Sequence, residues 1–361
     1  MHEDVLDFKS CRDNQPSKSG WRSEPAWGKV LTPMSWEDDM RKLWMATLAA
    51  SLAIPALLGP TAGLAQSGVK VLPLPDAAAY PEGVTVDPTT GAIYTNSANT
   101  GVVFRVDPDT GAAVQIGDPL DLGDSPPAKR VSVALGLKAD GQGRLWVAGA
   151  RTGSMHVVDI ATGERLARFT TPQGAWLIND VALTAEAAYF TDTLRPVLWR
   201  VARDSLADAA LEPWLSFEGT ALEYGEEPNL NGIVATPDGR YLIVVLMKTG
   251  RLFRIDTHTR EVAAIDSGTS ALDGGDGLAL VGQRLFLVRQ SAGEVVALDM
   301  SDDLSRAVEA KRIKPTELAW PATVAVRSDR LIVANSQLNR RGSGDPVLPF
   351  SLVSIPLSAF D

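Results

Sequence analysis

Four residues with oxygen-bearing side chains, Glu82, Asn179, Asn231 and Asp276, each stand near the start of a short apolar run: "PEGVTV", "INDVAL", "LNGIVA" and "GDGLAL". A buried polar group without a partner costs roughly 1 to 3 kcal/mol, so four of them in equivalent places imply a use. Two carboxylates gathered over apolar surface repel unless a cation or a proton separates them. Carboxylate and amide oxygens are hard ligands. With no thiolate and no histidine among them they suit Ca2+ better than Zn2+ or Cu2+, another divalent metal being the alternative. The two charges would balance the ion, and four protein oxygens would leave about two to four of its usual 6 to 8 positions for water or substrate.

The four converge only if their runs are equivalent elements of a repeat. A unit of about fifty residues does recur: an apolar strand with an internal Gly, a turn, a second strand such as "RLWVAG", then a third such as "SMHVVDI". Its first strands begin "PEGVTV" at 81, "ALGLKA" at 134, "INDVAL" at 178, "LNGIVA" at 230, "GDGLAL" at 275 and "PATVAV" at 321. In register they align Glu82, Leu135, Asn179, Asn231, Asp276 and Ala322, at steps of 53, 44, 52, 45 and 46 residues by subtraction. This predicts an all-β fold over residues 68–361, a six-bladed β-propeller with blades of four antiparallel strands around a central channel. "GVKVLPL" is expected to close the ring as the outer strand beside the final "SLVSIPL". "DPTTG", "DPDTG" and "DIATG" read as Asp-led, Gly-ended hairpin turns; they lack the spacing and closing Glu of an EF-hand.

First strands line the channel, so strict alternation sorts their residues into layers. Val84, Leu137, Val181, Ile233, Leu278 and Val324 would plug the channel below the four ligands. Gly83, Gly136, Asp180, Gly232, Gly277 and Thr323 would face into the blades, where glycine permits close approach, with Asp180 bracing the ligands. One step above the ligands lie Tyr80, Val133, Leu177, Asn229, Gly274 and Trp320. That mouth is mostly apolar, and Tyr80, Leu177, Asn229 and Trp320 are the candidate substrate-binding residues for a fairly hydrophobic small molecule.

Composition excludes several other functions. The chain of 361 residues carries a net charge of -10, and no basic run interleaved with aromatics invites nucleic acid or an anionic membrane. Residues 40–65 have a basic start, an apolar stretch broken by Pro55 and Pro60, and a small-residue end. They read as a secretory signal, which predicts a periplasmic or secreted product with no membrane anchor in the mature form, and a monomer. Residues 1–39, polar and placed before that signal, read as a non-native or disordered extension, with Met40 the true start. The one cysteine, Cys11, falls in it, which excludes a disulfide or thiolate site in the exported chain. Neither a Gly-x-Ser-x-Gly elbow nor a His-Glu-x-x-His helix is present.

By Glu82, Asn179, Asn231 and Asp276, and over about residues 68–361, the chain resembles the SMP-30/gluconolactonase/luciferin-regenerating family and the related paraoxonases and calcium-dependent phosphotriesterases. The resemblance implies a catalytic Ca2+ held by those four residues. It departs at Leu177, where sugar-lactonase members carry an Arg, and in its histidines: His2 precedes the signal, His156 falls in an outer strand and His258 in a turn. An aldonolactone substrate and a His-assisted mechanism are therefore not expected. The expected activity is hydrolysis of a lactone, ester or phosphotriester, with Asp276 as general base or nucleophile. The alternatives are a non-catalytic Ca2+-stabilised propeller that binds a protein or small ligand, and a strictosidine-synthase-like enzyme. Substrate identity would lie in top loops such as 117–131 and 218–228.

Overall fold

In each repeat, runs rich in β-branched and aromatic residues, such as Tyr241–Leu246 "YLIVVL", pair with their neighbours as successive hairpins. The computed structural model describes residues 68–361 apart from 121–131, 173, 175 and 227. The extension 1–39, the signal at 40–65, Cys11 and His2 lie outside the described residues, as does most of the 117–131 loop. Among the described residues are six four-stranded antiparallel sheets. The Asp-led turns hold the hairpins: Asp87 Oδ1 accepts the N–H groups of Thr89 and Thr90 at 2.9 and 2.7 Å, and Gly91 takes φ 70°. No helix among the described residues is long and apolar enough to cross a membrane.

The innermost strands touch one another in cyclic order, and Lys70–Pro73 pairs with Ser351–Pro356 as the outermost strand of the last blade. Six apolar clusters fill the six gaps between adjacent blades. At the axis, carbonyls of the ligand column accept hydrogen bonds from the preceding blade. Asn96 Nδ2 donates to Leu135 O at 2.6 Å, Gly136 N to Asn179 O at 2.8 Å, Thr191 Oγ1 to Asn231 O at 2.8 Å and Gly277 N to Ala322 O at 3.2 Å. The Thr323 hydroxyl donates to Glu82 O across the seam between blades six and one. Each such bond contributes about 1 kcal/mol net. Together they fix the height of the ligand column.

Strict alternation fails at the column itself. In the four blades that carry Glu82, Asn179, Asn231 and Asp276 the pairing register slips between the residue before this polar one and the residue two beyond it, as between Pro81 and Val84. Two residues there oppose one, which is a β-bulge, and a bulge re-aims its side chains. The expected apolar plug is therefore not a shared floor. Val84, Leu137, Val181, Ile233, Leu278 and Val324 fall one into each of the six inter-blade clusters. The glycines beside the ligands do sit where sheets approach closely. A Cβ on Gly232 would meet the Asp276 carbonyl oxygen and come within 3.2 Å of Gly277 Cα. Gly232→Ala is expected to destabilise the protein by about 1–3 kcal/mol, read from the urea midpoint; an unchanged midpoint would show that the blades can part here without cost.

Candidate metal centre

The four aligned residues project from the bulges of blades one, three, four and five, and all are buried. Blades one, three and five are not neighbours, yet the Asp276 charge acts on Glu82 and the Asp180 charge acts on both. Groups from such blades meet only at the channel. Burial is the main cause that pushes the Glu82 carboxyl well above the ordinary range, with the charges of Asp276 and Asp180 adding to it and Lys138 opposing. Burial, then the Asp180 charge, pushes Asp276 up to about 8, with the neighbouring Asn231 amide opposing the shift. Asp180 is raised by burial too, against Lys138 and the N–H groups of Val181 and Ile233.

Whether a cation fits is decided by the oxygens. Glu82 Oε2, Asn231 Oδ1 and Asp276 Oδ1 are buried with no hydrogen-bond partner. Orphan acceptors from three blades around one axis form a cradle for a positive charge. With all three buried carboxylates ionised, the Lys138 ammonium would leave two negative charges, which a divalent ion could balance. Among the described residues no three His, Cys, Asp or Glu side chains are grouped as a metal site. The set that could hold a cation would instead be two carboxylates with two amides, and Asp180 is turned away: its Oδ1 accepts from Val181 N at 2.8 Å and its Oδ2 from Ile233 N at 3.1 Å, tying blade three to blade four.

The hydrogen bonds that hold these polar heads were not foreseen from the sequence. Asn179 Nδ2 donates to Thr193 Oγ1 at 2.9 Å, Asn231 Nδ2 to Met247 Sδ at 3.2 Å, and Gln290 Nε2 donates to Asp276 Oδ2 at 2.5 Å. Thr193, Met247 and Gln290 end equivalent strings, "YFTDT", "IVVLM" and "FLVRQ", just past the second strands. Reading that column beside the ligand column would have found them. Lys138, one residue beyond Leu137, had no such signal.

At the mouth, Tyr80 is buried with its ring 5.0 Å from Phe350, and Leu177 packs against the cluster that contains Tyr80, Leu135 and Ala150. Tyr80, Gly274 and Trp320 have φ of 55°, 72° and 55°, so the chain turns sharply before the ligand instead of alternating up to it. Trp320 is half-buried. Asn229 is engaged with the blade-four loop: its Oδ1 accepts from Gly225 N at 2.9 Å. His156 is enclosed in blade two, its Nε2 2.8 Å from Ser154 Oγ, and His258 sits in the Asp256–Arg260 turn.

No family profile and no curated protein matches the sequence. Solved structures do match. A gluconolactonase from Xanthomonas campestris superposes with a TM-score of 0.55 at 16% identity, covering 86% of this chain and 98% of its own. A calcium-binding protein, regucalcin, from Agrobacterium tumefaciens gives 0.54 at 14%, covering 79% and 93%. A catalytically inactive virginiamycin B lyase from Staphylococcus aureus with quinupristin gives 0.52 at 13%, covering 80% and 99%. At these identities the likeness extends to the fold alone.

Proposed function

We propose that the chain is an exported, calcium-dependent hydrolase that opens a lactone or cleaves an ester or phosphotriester at the channel mouth. The reading rests on three unpartnered buried oxygens from three blades, among carboxyls whose pKa values are raised by burial and mutual repulsion. The structural likeness to a gluconolactonase and to a calcium-binding regucalcin supports it. Glu82, Asn179, Asn231 and Asp276 would hold the ion. Bound there, Ca2+ supplies positive charge where a substrate's carbonyl or phosphoryl oxygen becomes negative.

The remaining work falls to the side chains. Asn179 and Asn231 contribute oxygen without adding charge. With Asp276 Oδ1 directed to the axis, Oδ2 keeps a lone pair beyond its bond to Gln290. That lone pair can take the proton from an attacking water or attack the substrate itself. Tyr80 is packed into the core beside Phe350, so the half-buried Leu177 would supply the apolar surface that favours a hydrophobic acyl or alkoxy group over a polyhydroxylated sugar. Trp320 would wall the mouth, and Asn229 would shape it by holding the Gly225 backbone.

Metal analysis of the purified protein, followed by a panel of lactones, esters and phosphotriesters with and without chelator, tests the reading. One Ca2+ per chain and chelator-sensitive turnover of apolar substrates are expected. Calcium at that ratio with no turnover of any class would replace the hydrolase by a calcium-stabilised binding propeller.

A further inference from the structure

Each supporting residue meets its ligand with matching polarity. Thr193 Oγ1 and Met247 Sδ are acceptors, and both receive the N–H end of an asparagine amide. Gln290 Nε2 is a donor, and it meets a carboxylate oxygen. An amide whose nitrogen is drawn outward presents its oxygen to the axis; a carboxylate with one oxygen tied presents the other. The orphan atoms agree: Asn231 Oδ1 and Asp276 Oδ1 are the ends without partners, on the residues whose other ends are held.

We infer that Thr193, Met247 and Gln290 form a positioning column, one residue per blade, that turns only oxygen toward the axis and thereby sets the affinity of the site for a divalent cation. Gln290 is the critical member. Asp276 carries charge, its carboxylate can rotate, and Gln290 is 8% exposed with its amide nitrogen 2.5 Å from Oδ2. Without that bond the carboxylate can swing either oxygen to the axis or pair with Asn231, and its orientation must be fixed again each time an ion binds. Partners that orient metal-binding groups typically alter metal affinity by about 10- to 100-fold. The inference rests on the four ligands proposed above, and its test separates the two.

Calcium titration calorimetry on wild type, Gln290→Leu and Thr193→Val, beside the melting temperature of each in chelator, reads affinity apart from stability. Gln290→Leu is expected to weaken Ca2+ binding by about 10- to 100-fold and Thr193→Val by about tenfold, with binding still at one site. A residue that merely fills space would lower the melting temperature in chelator and leave the affinity of the folded protein unchanged. Should Gln290→Leu not fold, Gln290→Asn, whose shortened amide cannot reach Oδ2, is read instead. Wild-type affinity in the folded Gln290 variant overturns the positioning column while the metal site stands; no binding to wild type overturns both.

Discussion

Asp276→Asn is expected to lower kcat by about 10³-fold while the far-ultraviolet circular dichroism of the protein stays that of wild type. The substitution keeps size, shape and one oxygen, and removes one of the charges that balance the ion and the group proposed as base or nucleophile. Gln290 would still find an oxygen to donate to. In chelator the variant should melt no lower than wild type, because a neutral amide replaces a carboxyl that is fully enclosed and repelled by Asp180. Steady-state kinetics at saturating calcium decide the matter: full turnover by this variant would remove Asp276 from the chemistry.

Chelated protein should lose stability as pH rises from about 4 to about 8, by about 10 °C in melting temperature, and calcium should abolish most of the loss. The sign follows from proton counts. Asp276 titrates at about 8 in the fold against 3.8 unfolded, and Glu82 also titrates well above its unfolded 4.5. Between those values the folded state keeps protons that the unfolded chain has released, so raising the pH favours unfolding. The contribution is complete below the unfolded values, and the part due to Asp276 is lost as pH passes its folded value. Ca2+ replaces those protons as the compensating charge. Differential scanning calorimetry across this range, with and without calcium, measures both curves; a chelated protein that grows more stable toward pH 8 would contradict the buried-carboxylate account.

The architecture was legible because the repeat is long, and the buried polar column because a polar residue recurs at a fixed offset in an apolar strand. "PEGVTV" and "GDGLAL" align without ambiguity, and the closing strand at Lys70–Pro73 follows from the edge that six blades would otherwise leave open. What the sequence hid is local backbone geometry. A bulge has no composition of its own in "INDVAL", yet it moves Val181 off the axis and into the space between blades two and three. The left-handed turns at Tyr80 and Trp320 run against the ordinary preference of bulky residues, so a strand pattern continued through them was bound to mislead about direction. Gln290 was passed over because its partner lies in another strand, and a single glutamine at a strand end resembles any surface residue until the register is drawn.

The pairing of Lys70 with Ser354 means that the earliest described strand waits for nearly the last one to be made. Contacts so distant along the chain are slow to form, and until this one forms the final sheet lacks its outer strand. Five hydrogen bonds to the column at the axis bridge every junction but that between blades four and five, and the one from blade six to blade one can be made only when the ends have met. Glu82 stands at that seam, and the other three proposed ligands stand on blades three to five. Cation capture by all four oxygens would therefore be a late event in folding, and the rate at which calcium-dependent fluorescence or activity returns after dilution from denaturant would clock the closing of the ring.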